Sequence, residues 1–321
     1  MELLKQLYRI YSPSRGEKKM RKFIKDWAKR NVPEAAVTVD SIGNIYIRKG
    51  ESETYPTIVS HIDQVQKIHS RDFQVVETKG ALLGFSRGNM RLEGLGADDK
   101  NGIWVCLKCL KKYPVMKCAF FVGEEIGCIG SEGCDMSFFS DSRYVLQCDR
   151  RGGHDLIYNI GGWTELCSEE FLDAIGYERF GYKKTTGMMT DVEALKNRGL
   201  AVSAVNMSCG YYRPHTDEEF TIIPELQGCL AFVEHIVETC TAVYPHEEQD
   251  DYYFGRWGRK GMDMELHDWI ENYLLYYPEA TDEEVVAEFA DCTRMDPSEI
   301  AAIAQEIRNI YYMDQPEEDE I

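Results

Sequence analysis

Residues 94–127, GLGADDKNGIWVCLKCLKKYPVMKCAFFVGEEIG, carry the pattern that decides the fold. Glycines at 94, 96 and 102 surround the acidic pair Asp98–Asp99. Glycine lets a backbone approach its neighbours closely just before a helix begins. From Asp99 the pattern is helical to about Tyr113. CAFFVGEE follows, apolar until its last two residues, which places Glu124 and Glu125 at the mouth of the core.

Upstream, residues 2–11 and 15–31 read as helices, the second opened by S-R-G-E (Ser14 to Glu17) as a capping box. AVTV (36–39) and NIYIRKG (44–50) alternate as strands do and are joined by the turn-prone DSIG. TIVS (57–60) is a short apolar run expected of a buried strand. The stretch 73–93 reads as short strands with glycine turns.

Downstream come a helical stretch at 131–139, a strand at RYVLQCD, a helix at TDVEALKNRG with Thr190 or Asp191 near its cap, and a strand at LAVSAVNM. PELQGCLAFVEHIVETCTAVY is a long amphipathic helix with Pro224 near its start. Alternating strands and helices predict an α/β fold, a three-layer α-β-α sandwich with a mostly parallel central sheet. No internal repeat occurs. The catalytic domain is expected over 1–248, a polar and aromatic linker over 249–261, a small helical module over 262–313, and an acidic tail over 314–321. The module reads as three helices, 262–277, 281–291 and 296–311, separated by Pro278 and Pro297.

Composition narrows the function classes. The formal net charge of −19 repels phosphates and anionic membranes, so neither nucleic acid nor membrane is expected as a partner. No apolar run approaches the roughly 18 residues of a membrane span. The N-terminus, interrupted by Lys5 and Arg9, does not read as a secretory signal. The 11 cysteines follow no framework spacing and suit a reducing, cytoplasmic compartment. Cys106 and Cys109 form a C-x-x-C inside a helical pattern, which favours structural thiols over a zinc knuckle.

Five polar clusters sit where strands open into loops, the place where functional groups gather in α/β sheets. They are SHID (60–63), GLGADDKNG (94–102), FVGEEIG (121–127), LQCD (146–149) and RPHTDEEF (213–220). Singly each is weak: H-x-D is commonly a surface turn, and paired glutamates are commonly exposed. In this order and context they form a histidine and carboxylate set suited to a catalytic divalent metal.

These motifs resemble those of the co-catalytic zinc exopeptidases: peptidase T, the carboxypeptidase G type, and the glutamyl and leucyl aminopeptidases. The similarity spans residues 1 to about 245, and GADDKNG and GEEIG are its most specific parts. The resemblance implies two divalent ions, zinc by default, with cobalt or manganese fitting equally. It assigns His61 and Asp149 to the first ion, Glu125 and His215 to the second, and Asp98 to both. Asp63 would orient the His61 imidazole, Glu124 would be the general base, and the Asp98–Asp99 peptide would be cis.

Around this set, Tyr211, Tyr212 and Arg213 are candidates to line the substrate pocket. A surface salt bridge is the competing role for Arg213. Asp191 is a candidate to read a free amino terminus, against an ordinary helix cap. His69, His154, His235, His246 and His267 have no comparable setting, although His154 lies near Asp149 in the chain.

Relatives often carry an inserted lid or dimerisation domain of roughly a hundred residues. Neither 64–97 nor the span from Asp149 to His215 leaves room for one. A homo-oligomer formed through a lid therefore has no support here. The expected activity is an exopeptidase, an aminopeptidase on short peptides. An N-acyl amino acid amidohydrolase is the rival within enzymes, and a non-catalytic binding protein on the same fold is the alternative outside them.

Overall fold

The computed structural model describes residues 1–162, 164–247, 270, 273–274, 280–293 and 296–312. The chain divides into two units, Met1–Glu248 and Gln249–Ile321. The first unit begins with α1 (Glu2–Tyr8), α2 (Lys18–Asn31), β1 (Ala36–Val39), β2 (Ile45–Lys49) and β3 (Tyr55–His61). Then come β4 (Phe73–Thr78), β5 (Ala81–Ser86), β6 (Arg91–Leu92), α3 (Ala97–Lys112), β7 (Met116–Phe121) and α4 (Ile129–Glu132). They are followed by β8 (Ser142–Arg150), β9 (Asp155–Ile160), β10 (Thr164–Glu165), α5 (Glu169–Ile175) and β11 (Lys183–Gly187). The unit continues with α6 (Asp191–Asn197), β12 (Ala204–Ser208), β13 (Tyr211–Tyr212), β14 (Phe220–Ile222) and α7 (Ile223–Thr239).

The main sheet has the order β1-β2-β7-β3-β8-β12-β9-β10, with β11 added beside β9. Its central strands β7, β3, β8 and β12 run parallel, and antiparallel pairs flank them on both sides. Parallel strands are covered on both faces, so they read as unbroken apolar runs. Side chains alternate between faces along a strand. Ile58, Phe120 and Leu146 accordingly enter one core, and their neighbours Val59, Phe121 and Val145 enter the other. The first core packs Leu7, Ile24, Trp104 and Phe232 from α1, α2, α3 and α7. The second packs Val192 and Leu195 of α6 together with Phe139. The result is a mixed α/β sandwich of three layers with helices on both faces of the central sheet.

A second, smaller sheet has the order β13-β14-β5-β4, with β6 beside β5. Its β5–β14 pairing ties the segment after His61 to the segment after His215. Residues 64–97 thus form a few short strands. The chain from Asp149 to His215 supplies β9 to β12 of the main sheet, β13 of the smaller one, and α5 and α6.

Local differences from the sequence reading have identifiable causes. The first helix stops at Tyr8 rather than residue 11, and the second starts at Lys18. The capping box does not form. Ser14 Oγ donates instead to Asp63 Oδ2 (2.8 Å), and Glu17 accepts from the Arg15 N–H (2.8 Å). A hydrogen bond to a buried carboxylate is stronger than one to a helix N–H. Pro224 lies in the first turn of α7, where an N–H would have no partner within the helix. Cys106 and Cys109 are buried in α3, and burial pushes both thiols up, which keeps them neutral.

In the second unit, α8 (Asp282–Thr293) and α9 (Pro297–Tyr312) correspond to the last two helices of the expected module. Val285, Phe289, Ile300, Ala304 and Ile307 are buried, and Asp282 pairs with Gln305 and Arg308. The linker 249–261, most of the helix 262–277, and the tail 314–321 lie outside the described residues. Among the described residues, no helix is long and apolar enough to cross a membrane.

Candidate metal centre

The parallel strands β3, β7 and β8 end at the same edge of the sheet, so groups at their carboxyl ends converge. His61 is the last residue of β3, in register with Phe121 at the end of β7. Two residues on, the chain turns tightly through Gly123, which takes a left-handed backbone (φ 63°), and presents Glu124 and Glu125. Asp149 is the penultimate residue of β8. Asp98 and Asp99 open α3 with non-helical dihedrals, and the peptide between them is cis. His215 lies between β13 and β14 with φ 66°, uncommon for a residue other than glycine.

Asp98 stands between the two histidines. Its Oδ1 is 2.9 Å from His61 Nε2, and its Oδ2 is 3.3 Å from His215 Nε2. His61 Nε2 also lies 3.6 Å from Asp149 Oδ1 and 3.9 Å from Glu124 Oε2. His215 Nε2 lies 3.1 Å from Glu125 Oε2. Two triads result, His61–Asp98–Asp149 and Asp98–Glu125–His215, and within each the candidate ligand atoms lie within 4.8 Å of one another. Behind His61, Asp63 Oδ1 is 3.4 Å from Nδ1, which makes no hydrogen bond among the described residues, and accepts from the Glu124 N–H at 3.0 Å.

The electrostatics favour cations here. Burial raises the Glu125 carboxyl to about 7 and the Asp149 carboxyl to about 6, with the Asp98 charge adding to both. Burial likewise raises Glu124 well above the usual carboxylate range, and Asp149 adds to the effect against the pull of His61. Asp98 goes the other way: burial opposes it, but hydrogen bonds from His215 and His61 hold it down. Burial also opposes charging of His61, yet Asp149 and Glu124 outweigh it and raise its pKa. The acids thus crowd together with two imidazoles as their nearby positive groups, and Glu125 Oε1 is buried without a hydrogen bond. Oxygen and imidazole donors with one shared carboxylate are a set that divalent ions of the zinc, cobalt or manganese kind accept. The residues fit such ions.

Comparison with known proteins agrees at the level of fold. A tripeptidase from Staphylococcus aureus superposes with a TM-score of 0.59 at 13% identity, over 74% of this chain and 97% of that one. The aminopeptidase PepT from Bacillus cereus superposes with a TM-score of 0.58 at 14% identity, over 74% and 96%. The chain has the fold of these peptidases. No family model matches it. A Pyrobaculum aerophilum protein named as a LysW-lysine/LysW-ornithine hydrolase is 39% identical over 64 residues. That match spans 20% of this chain and only 18% of the relative's length.

The other candidate residues fall into different settings within this fold. Asp191 follows the cap residue Thr190 and is fully buried beside the first triad. It accepts from Ser131 Oγ (2.6 Å) and Gln147 Nε2 (3.2 Å), and burial raises it to about 7. Tyr211 Oη donates to Asp149 Oδ1 (3.3 Å). Tyr212 Oη donates to Glu225 Oε2 (2.8 Å), and its ring stacks on Phe220. Arg213 pairs with Glu218 at the surface. Among the other histidines, His69 stacks between Tyr11 and Phe73, and His246 faces Lys196. His235 lies against Phe180, and His154 is exposed. None of these joins the triads, and His267 lies outside the described residues.

Sequence reasoning missed the residues that hold the acids in place. Gln147 Nε2 donates to both Asp149 Oδ2 (3.0 Å) and Asp191, while its Oε1 accepts from Thr190 and the Val192 N–H. Asn206 exchanges hydrogen bonds with the Asp149 backbone (2.8 and 2.9 Å). Gln147 was findable: it precedes Asp149 by two, so both project from the same face of the strand. Asn206 had no signal short of the fold, and Ser14 carried one for a helix cap instead.

Proposed function

We propose that the protein is a two-metal hydrolase of amide bonds, and specifically an exopeptidase removing amino-terminal residues from short peptides. The observation that carries the reading is the pair of triads sharing Asp98, with Glu124 beside the first. His61, Asp98 and Asp149 would hold one divalent ion, and Asp98, Glu125 and His215 the other. Such a pair, when bound, activates a water for attack and polarises the scissile carbonyl.

The chain's own groups do the rest. Asp63 fixes the His61 ring so that Nε2 faces Asp98 and Asp149. Glu124 accepts the water's proton on a carboxylate oxygen and returns it to the leaving nitrogen. Its burial among Asp149, Asp191 and Glu125 makes it basic enough to hold that proton between the two transfers. Asp191 supports the aminopeptidase reading, because a buried carboxylate at the site favours a substrate ammonium. Tyr211 is suited to orient Asp149.

Amide hydrolysis outside peptides is the second reading. The relative named for LysW-lysine and LysW-ornithine favours it, since the same acids would serve any acyl-amine bond. Aminoacyl anilides, di- and tripeptides and N-acyl amino acids, offered to the zinc-, cobalt- or manganese-loaded protein, separate the readings. Cleavage of N-acyl amino acids alone would remove the aminopeptidase assignment. Turnover of none of them under any of the three metals would remove the hydrolase.

A further inference from the structure

Four buried polar side chains take no part in the chemistry above: Gln64, Gln66, Lys100 and Glu219, each at most 4% exposed. They form one chain of hydrogen bonds. Lys100 Nζ donates to Gln64 Oε1 (2.5 Å) and to the Leu95 carbonyl (3.0 Å). Gln64 Nε2 donates to Gln66 Oε1 (2.9 Å), and Gln66 Nε2 donates to Glu219 Oε2 (3.2 Å). Glu219 Oε1 then accepts from the backbone N–H of Asp98 (3.2 Å). An ammonium only donates and a carboxylate only accepts. Burial moves both end groups to about 7, Lys100 downward and Glu219 upward; in the charged pair the two ends force both amides into one orientation, and the chain has a direction.

The glycines before α3 make room for this layer. A Cβ at Gly94 would lie 2.6 Å from Gln66 Cγ and 2.5 Å from the Thr216 carbonyl. One at Gly96 would lie 2.8 Å from both Gln64 Cδ and Lys100 Nζ. The chain joins the loop after His61, the approach to Asp98, the first turn of α3, and the run from His215 to β14. We propose that it is a brace for the second cation position, with Glu219 as its positioning residue. It keeps the Asp98 backbone and the His215 loop in register, although no member is itself a ligand. The inference rests on the two-metal reading above. Asp98 serves both positions, so both should weaken, but the first has separate supports in Asp63, Gln147 and Asn206 and the second should weaken more.

Glu219→Gln tests this with little change of shape. An amide has a single acceptor oxygen, so it must turn its NH2 toward either the Asp98 N–H or Gln66 Nε2, donor against donor. Cobalt(II) titration of the metal-stripped full chain, followed by visible absorption, reads both positions. Wild type is expected to take two equivalents. E219Q should keep the first within about threefold and bind the second about ten- to a hundredfold more weakly. Gln66→Met cuts the same link from the other side and should reproduce the split if E219Q does not fold. Unchanged affinities, or equal weakening of both equivalents, would overturn the brace. A wild type that takes fewer than two equivalents would overturn the two-metal reading and the brace with it.

Discussion

Replacing Glu124 by glutamine separates the chemistry of this site from its architecture. The carboxylate receives one weak hydrogen bond, from Cys128 Sγ 3.9 Å from Oε1. The backbone N–H bond from Glu124 to Asp63 survives the change. The fold therefore loses little. What disappears is the group proposed to carry the proton. General acid–base catalysis is worth about 10²–10⁴ in rate, or about 2.7–5.4 kcal/mol at 1.36 kcal/mol per tenfold. Turnover should fall by that factor while bound metal, measured on the same sample, stays at the wild-type level.

Stability gives an independent reading of the same substitution. Burial, reinforced by Asp149, Asp191 and Glu125, raises the folded-state pKa of Glu124 above its unfolded value. Between the two values the folded chain binds more protons than the unfolded one, so stability falls as pH rises through that window. Glutamine has no such dependence. The metal-free variant should match wild type below the unfolded pKa and gain on it as pH increases, read from urea midpoints at several pH values. Turnover within about tenfold of wild type would remove Glu124 as the base. Loss of bound metal would instead place it among the ligands.

Two further substitutions address the supports. Asp63→Asn can keep its oxygen on the Glu124 N–H and donate to the Ser14 hydroxyl, so what it removes is the negative charge behind the His61 ring. It should weaken the first cation by about ten- to a hundredfold in the cobalt titration; unchanged affinity would leave Asp63 a purely structural acid. Tyr8→Phe deletes a hydroxyl that donates to Asn101 Oδ1 (2.5 Å) and meets Thr221 Oγ1 (2.8 Å), all buried. It should cost about 1–3 kcal/mol in urea unfolding without altering metal affinity. A loss in metal affinity would extend the site to α1.

The layers and the ligand candidates were readable for the same reason. Parallel strands buried on both faces advertise themselves as apolar runs, and a charge at the end of such a run is conspicuous. That is how Glu124, Glu125 and Asp149 stand out. The region 150–187 stayed unread because β9 and β11 lie toward the margin of the sheet, where the patterning is weaker. Gln64, Gln66 and Glu219 were illegible for another reason. Each is an ordinary surface residue type, and only the crossing of distant segments shows that all three are buried. Ser14 even pointed the wrong way, because a local cap and a tertiary contact use the same hydroxyl.

The distribution of charge explains why the brace is separate from the ligands. Three buried acids are matched locally. Asp63 accepts from Ser14 Oγ and the Glu124 N–H. Asp99 accepts from Ser60 Oγ and the Gly102 N–H, and Glu219 faces Lys100 through the two glutamines. Asp98, Glu124, Glu125, Asp149 and Asp191 remain, five carboxylates with two imidazoles. Two divalent cations would bring four positive charges to these five acids and leave one negative charge. A proton on Glu124 or an ammonium beside Asp191 would cancel it, and both belong to the proposed reaction. If Glu219 joined this group without its link to Lys100, the excess would double. The glutamines link Lys100 to Glu219 by hydrogen bonds, and neither end is among the candidate ligands. Brace and ligand set can therefore lie side by side, because each has hydrogen-bond partners of its own.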